Sequence, residues 1–246
     1  MNYTKLQELL INFIKEQAGD KNLILGLSGG IDSALVAHLC KKAVGEKLFV
    51  LLMPTKHSKK ENLDDALMLC DHLQIHHKII YIDEALCAYE KICQDLNPLR
   101  FGNLAARVRM SLLYDYSALH NALVIGTSNK SELMLGYGTI YGDLACAFNP
   151  LATLYKSEVF ELAKFMGVHE NFIQKAPSAD LWPNQSDEKD LGYKYEALDE
   201  VLKALENNQS LENFDENLKN LVLERVQNNA FKRKLPTTLK NTYDLA

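Results

Sequence analysis

Two uninterrupted apolar runs constrain this chain more than any other feature. Residues 23–27 (LILGL) and 48–53 (LFVLLM) contain no polar side chain, and Pro54 closes the second run. A strand with one wet face alternates apolar and polar residues; a continuous run reads as a strand covered on both faces. Residues 79–82 and 123–125 read as third and fourth strands. Between them the spacing is helical: Leu63, Ala66, Leu67, Cys70 and Leu73 recur every three or four positions, and residues 99–120 are rich in helix formers. Short apolar strands separated by helices require right-handed crossovers, hence a parallel sheet with helices on both faces. The fold class is therefore α/β. No repeat, low-complexity tract or linker divides residues 1–246, which read as one domain.

Composition narrows the partners. The formal net charge of −5 argues against a dedicated nucleic-acid binder and leaves phosphate-bearing small molecules open. At the N-terminus Leu6, Leu9, Leu10, Phe13 and Ile14 fall at helical spacing among Lys and Glu. Neither a signal peptide nor a membrane span is read there, and a cytoplasmic protein is expected. Five cysteines, an odd number without a C-x-x-C pair, argue against a disulfide framework or a zinc site. His72, His76 and His77 lack the partners of a metal set and read as surface or packing residues.

The last third changes character. After a helix near 156–166 the sequence QKAPSADLWPNQSDEKD is polar, with two prolines and little periodicity. It reads as a mobile lid loop at about 175–190. Two apolar stripes follow, Tyr195, Leu198, Val201, Leu202 and Leu205, then Phe214, Leu218, Leu221, Val222 and Val226. Both are expected to pack in a core or against another subunit.

The chemistry concentrates in Gly26, Leu27, Ser28, Gly29, Gly30, Ile31, Asp32 and Ser33, directly after the first strand and opening a helix. Glycines there let backbone N–H groups approach a ligand, and the helix aims its positive end at the same point. Ser28 and Ser33 add hydroxyl donors, so an anion such as a phosphate chain is expected. The loop lacks the lysine of G-x-x-x-x-G-K-[ST] and the spacing of G-x-G-x-x-G. A serine-capped turn would account for Ser28 and the glycines. It would not account for a carboxylate, Asp32, inside an anion site, unless a divalent cation bridges it to the phosphates.

SGGIDS at residues 28–33 resembles the pyrophosphate loop of the N-type ATP pyrophosphatases, and further segments resemble the ammonia-dependent NAD synthetases in the family's order. These are GNLAARVRM at 102–110, GTSNKSE at 126–132, YGD at 141–143, NPL at 149–151 running to Lys156, PSADL at 177–181 with QSDE at 185–188, and FKRKLP at 231–236. The resemblance implies a Rossmann-like sheet of the adenine nucleotide alpha hydrolase type and an ATP-dependent amidation of deamido-NAD through an adenylate. By that resemblance the loop residues 26–33 contact ATP, Asp32 and Glu132 hold magnesium, and Lys156, Thr127 and Ser178 contact ATP. Asn103, Arg107 and Lys232 meet deamido-NAD, and Asp143 lies near the nicotinate end, where it helps capture ammonium. The catalytic set it implies is Asp32, Glu132, Lys156 and Asp143. Arg107 and Arg109 stand two apart and face different ways on one helix, so one of them is expected to be structural or solvated. A homodimer is also implied.

Ile140 stands where the family often has lysine, Ala147 where it often has a second acid, and Phe231 where it has histidine. Those departures touch the deamido-NAD contacts and leave the ATP loop intact. The chain begins about twenty residues before the first strand, too few for an amidase domain, and no cysteine sits in a nucleophile arrangement, so free ammonia is the expected donor. tRNA-modifying relatives usually bring paired cysteines or a basic extension, and neither is found. A nucleotide-binding module without catalysis would need neither a second metal carboxylate nor a lid.

Overall fold

The computed structural model describes residues 1–178, 185–236 and 238. Among these residues four strands, β1 (Asn22–Gly26), β2 (Leu48–Leu52), β3 (His76–Ile79) and β4 (Ala122–Val124), form one parallel sheet in the order β3-β2-β1-β4. The central strand explains the double cover. Leu23 and Leu25 point into one core, with α1 (Tyr3–Ala18), α2 (Ile31–Val44), α3 (Lys60–His72) and α7 (Lys156–Phe165). Ile24 points the other way, into a core built with α4 (Asp83–Ile92) and α5 (Pro98–Leu119). All three side chains are fully buried, so residues 23–25 have no polar position to offer.

The third strand departs from expectation. It spans His76–Ile79 rather than 79–82, and all its residues are exposed. β3 lies at the edge of the sheet, where a strand of His, His and Lys is tolerated and discourages pairing with another chain. The apolar run that suggested a strand instead feeds the second core, with Ile82 buried there and Ile80 packed against it. The short α4 was not anticipated. His76 and His77 are strand residues, and among the described residues no His, Cys, Asp and Glu cluster has metal-ligand geometry. The five cysteines are free, and no described helix is long and apolar enough to cross a membrane.

The C-terminal stripes form a third core. Leu198, Val201 and Leu202 of α10 (Tyr195–Glu206) and Leu218 and Val222 of α11 (Glu216–Asn228) close over Leu135 of the short α6 (Lys130–Leu135). The segment read as a loop at about 175–190 is irregular only in part. Residues 179–184 lie outside the described residues, but α9 (Asp187–Leu191) is helical and buries Asp187 and Leu191. Its stretch of Asp, Glu and Lys hides one apolar anchor, too little for periodicity to register. Another short helix, α8 (Glu170–Gln174), precedes the segment and buries Phe172.

His38 on α2 is buried, and its Nε2 has no hydrogen-bond partner among the described residues. Burial, helped by the charges of His72 and Lys42, lowers its pKa to about 4. Between that value and the ordinary histidine value the unfolded chain binds the extra proton, so stability is full above the higher pKa and falls as pH drops through the window. The group should cost about 3 kcal/mol by the acid end. Urea unfolding of wild type and His38→Leu from pH 7 to pH 4 should show a loss flatter in the variant by that amount.

Candidate active site

In an open parallel sheet the crevice lies at the carboxyl ends of two strands whose connections run in opposite directions. Here those strands are β1 and β4: the chain leaves β1 toward β2 on one side, and β4 returns on the other. A cleft of about 1070 Å³ opens at that point, lined by residues 26–33 after β1 and by Thr127 just beyond β4.

The loop after β1 is tied to itself. The Ser28 N–H donates to Ser33 Oγ at 3.2 Å, the Gly30 N–H to Ser28 Oγ at 3.2 Å, and the Ser33 hydroxyl to the Gly30 carbonyl at 3.0 Å. Gly29 has φ +82°, and a Cβ there would lie 2.2 Å from the Asn62 carbonyl oxygen of α3. Only glycine combines that backbone with that approach. α2 begins immediately after Gly30 with no side-chain cap, so its first N–H groups and dipole face the cleft.

Beside the loop one lysine gathers the acids. Lys156 Nζ lies 2.5 Å from Asp32 Oδ2 and 3.2 Å from Glu132 Oε1, and its side chain is 3% exposed. Asn129 braces both carboxylates, its Nδ2 donating to Asp32 Oδ1 at 2.9 Å and its N–H to Glu132 Oε2 at 3.1 Å. The second contact belongs to the capping box of α6, so a helix start and a site residue are one device. Lys156 opens α7; its N–H donates to Ser131 Oγ at 2.9 Å, and the Ser131 hydroxyl donates to Asp199 of α10, which also accepts the Ser157 N–H at 2.9 Å. Burial pushes the ammonium toward neutrality, but Asp32, Glu132 and Asp187 outweigh it and hold its pKa above the ordinary lysine value. Burial, with Asp32 and Asp187, pushes the Glu132 carboxyl up against the pull of Lys156.

A second polar group lies along the cleft. Asp143 Oδ1 accepts the Thr139 N–H at 2.9 Å, and the Thr139 hydroxyl donates to Asn103 Oδ1 at 2.7 Å. Asp143 keeps an open face, yet the protein around its carboxyl pushes its pKa upward. Lys232 donates to the carbonyls of Gly136 and Gly138 at 2.8 and 2.9 Å; burial lowers its pKa, and the charge of Asp143 works the other way.

Of the residues singled out from sequence, the loop, Asn103, Thr127, Glu132, Asp143, Lys156, Ser178 and Lys232 all line this one cleft. Arg107 stands apart. Its guanidinium donates to the Ile140 carbonyl at 3.3 Å, whereas Arg109, on another face of α5, reaches the cleft and donates to the Met53 carbonyl at 3.0 Å. Ser178 donates to the Gln185 carbonyl at 2.8 Å.

Among the lining residues to which the sequence reading assigned no role, Asp187 and Lys175 act on the site. Asp187, at the start of α9, accepts from the hydroxyls of Tyr137 at 3.2 Å and Tyr195 at 3.4 Å, and its charge acts on both Lys156 and Glu132. Lys175 reaches back to the glycine loop. Each stands inside a polar stretch where nothing local marks one charge above its neighbours.

The NAD synthase family profile matches residues 2–236. This chain belongs to the NAD synthase family. It is 58% identical over 245 residues to an NH3-dependent NAD+ synthetase of Campylobacter jejuni, an alignment covering 98% of this chain and 100% of the relative. The solved NH3-dependent NAD synthetase of C. jejuni, in complex with nitrate, superimposes with a TM-score of 0.87 at 52% identity, over 98% of this chain and 100% of that one. An NMN synthetase from Francisella tularensis superimposes with a TM-score of 0.90 at 33% identity, over 98% and 100%. The α/β parallel sheet is thus the architecture of NAD synthase family members.

Removing one member of a buried ion pair leaves the others uncompensated. Lys156→Met should destabilise the protein by about 3–5 kcal/mol at pH 8. Burial, with the pull of Lys156 removed, then holds the Glu132 carboxyl above its unfolded value, so its contribution to stability is present at low pH and lost as pH rises. The deficit against wild type should shrink toward pH 5.5, as read by urea unfolding at the two pH values.

Proposed function

We propose that this protein amidates deamido-NAD with ammonia at the expense of ATP, giving NAD, AMP and pyrophosphate. What carries the reading is one cleft, at the carboxyl ends of β1 and β4, that holds both the glycine loop and the Lys156 cluster. It does so in a chain matched to NH3-dependent NAD+ synthetase along nearly its whole length. The nicotinate carboxylate attacks the α-phosphorus of ATP and pyrophosphate leaves. Ammonia then attacks the acyl carbon of the adenylate, AMP departs, and the nitrogen loses a proton.

Each step asks for something the cleft contains. The leaving pyrophosphate gathers negative charge, which the N–H groups of the loop and the start of α2 receive. Lys156, held charged by its acids, faces the same region. Asp32 and Glu132 suit a divalent cation: they are hard oxygen donors, 16% and 15% exposed, and together with Asp187 they outnumber the single ammonium. Two carboxylates completed by substrate phosphates and water are what magnesium accepts. Bound there, magnesium would neutralise the phosphate oxygens. Asp143, with an open face on the cleft, would attract ammonium, and Asn103 and Lys232, which line the same cleft, would meet the dinucleotide. Ile92, Leu99 and Leu119, on α4 and at the two ends of α5, are 76%, 61% and 70% exposed. That supports covering by a second copy in a homodimer.

The test is a coupled assay with ATP, magnesium, deamido-NAD and ammonium, read for NAD and AMP. NAD and AMP should appear one to one. Asp32→Asn and Glu132→Gln should each lower kcat by about a hundredfold or more. Nicotinic acid mononucleotide in place of deamido-NAD tests the acceptor, because the Francisella protein is an NMN synthetase; faster turnover with the mononucleotide would overturn the acceptor assigned here. Equal turnover with glutamine replacing ammonium would overturn the donor.

A further inference from the structure

Lys175 lies in the irregular stretch after α8, far along the chain from the glycine loop, yet its ammonium is tied to that loop. Nζ donates to the Gly29 carbonyl at 3.4 Å and to Asn62 Oδ1 at 2.9 Å, and forms an ion pair with Asp65 Oδ2. An ammonium has three N–H bonds, so these acceptors use all of them. The Phe172 ring closes another side, its centroid 5.7 Å away. Asp65 is itself buried on α3, and its other oxygen accepts from Asn171 Nδ2 at 2.6 Å. Burial pushes the Asp65 carboxyl up, and the hydrogen bonds from Lys175 and Asn171 more than reverse that.

The bond to Gly29 has a consequence for the anion site. In a trans peptide the C=O and the next N–H point in opposite directions. Holding the Gly29 carbonyl toward α3 therefore turns the Gly30 N–H the other way, toward the loop interior, where Ser28 Oγ lies 3.2 Å away. Gly29 has φ +82° and no Cβ, so its own chemistry does little to stop this peptide from flipping. Flipped, it would break the Gly30 N–H bond to Ser28 Oγ and turn a carbonyl oxygen toward the loop interior, where it would repel an anion.

We infer that Lys175, anchored by Asp65 and Asn62, is a positioning residue that fixes the Gly29–Gly30 peptide so the loop presents donors to the pyrophosphate of ATP. The inference rests on the proposal that this loop binds that pyrophosphate. With every N–H engaged within the protein, Lys175 acts through the loop and not as a phosphate ligand.

The experiment compares wild type, Lys175→Met and Asp65→Asn for KM of ATP, KM of deamido-NAD, kcat, inhibition by pyrophosphate and thermal midpoint. Both variants should raise the KM for ATP and weaken pyrophosphate inhibition in parallel by about tenfold, equivalent to about 1.4 kcal/mol. The KM for deamido-NAD should stay within about twofold, since a binding loss confined to one substrate moves that KM alone. Asp65→Asn decides between roles, because it frees the ammonium without removing it. An unchanged or lower KM for ATP in Asp65→Asn, with a raised one in Lys175→Met, would make Lys175 a direct phosphate ligand and overturn the inference. Equal changes in both KM values that follow the thermal midpoint would reduce it to a packing residue. Should Lys175→Met fail to fold, Asn62→Ala removes another acceptor and reads the same split. Wild type that forms no NAD, or whose pyrophosphate inhibition does not compete with ATP, would instead sink the underlying reading of the loop.

Discussion

The ammonium of Lys156 stands where three parts of the molecule meet. Asp32 comes from the first turn of α2, Glu132 from α6, and Asp187 from α9, and all three act on one buried positive charge. A buried charge is tolerated only when it is compensated. The sheet with its helices and the C-terminal helical unit are therefore held in one relation by the group to which the proposed reaction also assigns a role. The bonds that fix the start of α7 are equally shared: Ser131 of α6 accepts from the Lys156 N–H and Asp199 of α10 from the Ser157 N–H.

Such a cluster is suited to handling polyphosphate. Three acids around one lysine leave surplus negative charge, which a divalent cation would neutralise as it brings in a nucleotide. The N–H groups of the glycine loop supply the opposite sign without needing a counter-ion of their own. On the proposed reading one side of the cleft would attract the cation and the other the anion, and the switch point of the sheet sets the two sides face to face.

How much of this the sequence disclosed depended on how local the cause was. The continuous apolar runs at 23–27 and 48–53 located β1 and β2 to within a residue, because a strand covered on both faces cannot hide a polar position. The edge strand β3 escaped, since His76, His77 and Lys78 satisfy an edge and carry no apolar signature. The turn through residues 28–33 from β1 into α2 was legible because glycine spacing, strand end and helix start are neighbours in the chain. Lys156 was named only by resemblance to a motif; its burial among acids from three helices is a property of the tertiary fold. Asp187 and Lys175 were illegible for the same reason, and α9 was missed because its burial rests on two residues, Asp187 and Leu191. Arg107 and Arg109 were separated correctly in principle, by helical direction, but only the fold says which of them reaches the cleft.

The central claim is that loop and cluster together activate a carboxylate by adenylation before ammonia takes part. Exchange of labelled pyrophosphate into ATP tests it most directly, measured with magnesium and deamido-NAD and with ammonia left out. The account predicts exchange that requires deamido-NAD and proceeds without ammonia, because the adenylate forms reversibly. Exchange that appears only when ammonia is present, or that is indifferent to deamido-NAD, would contradict it.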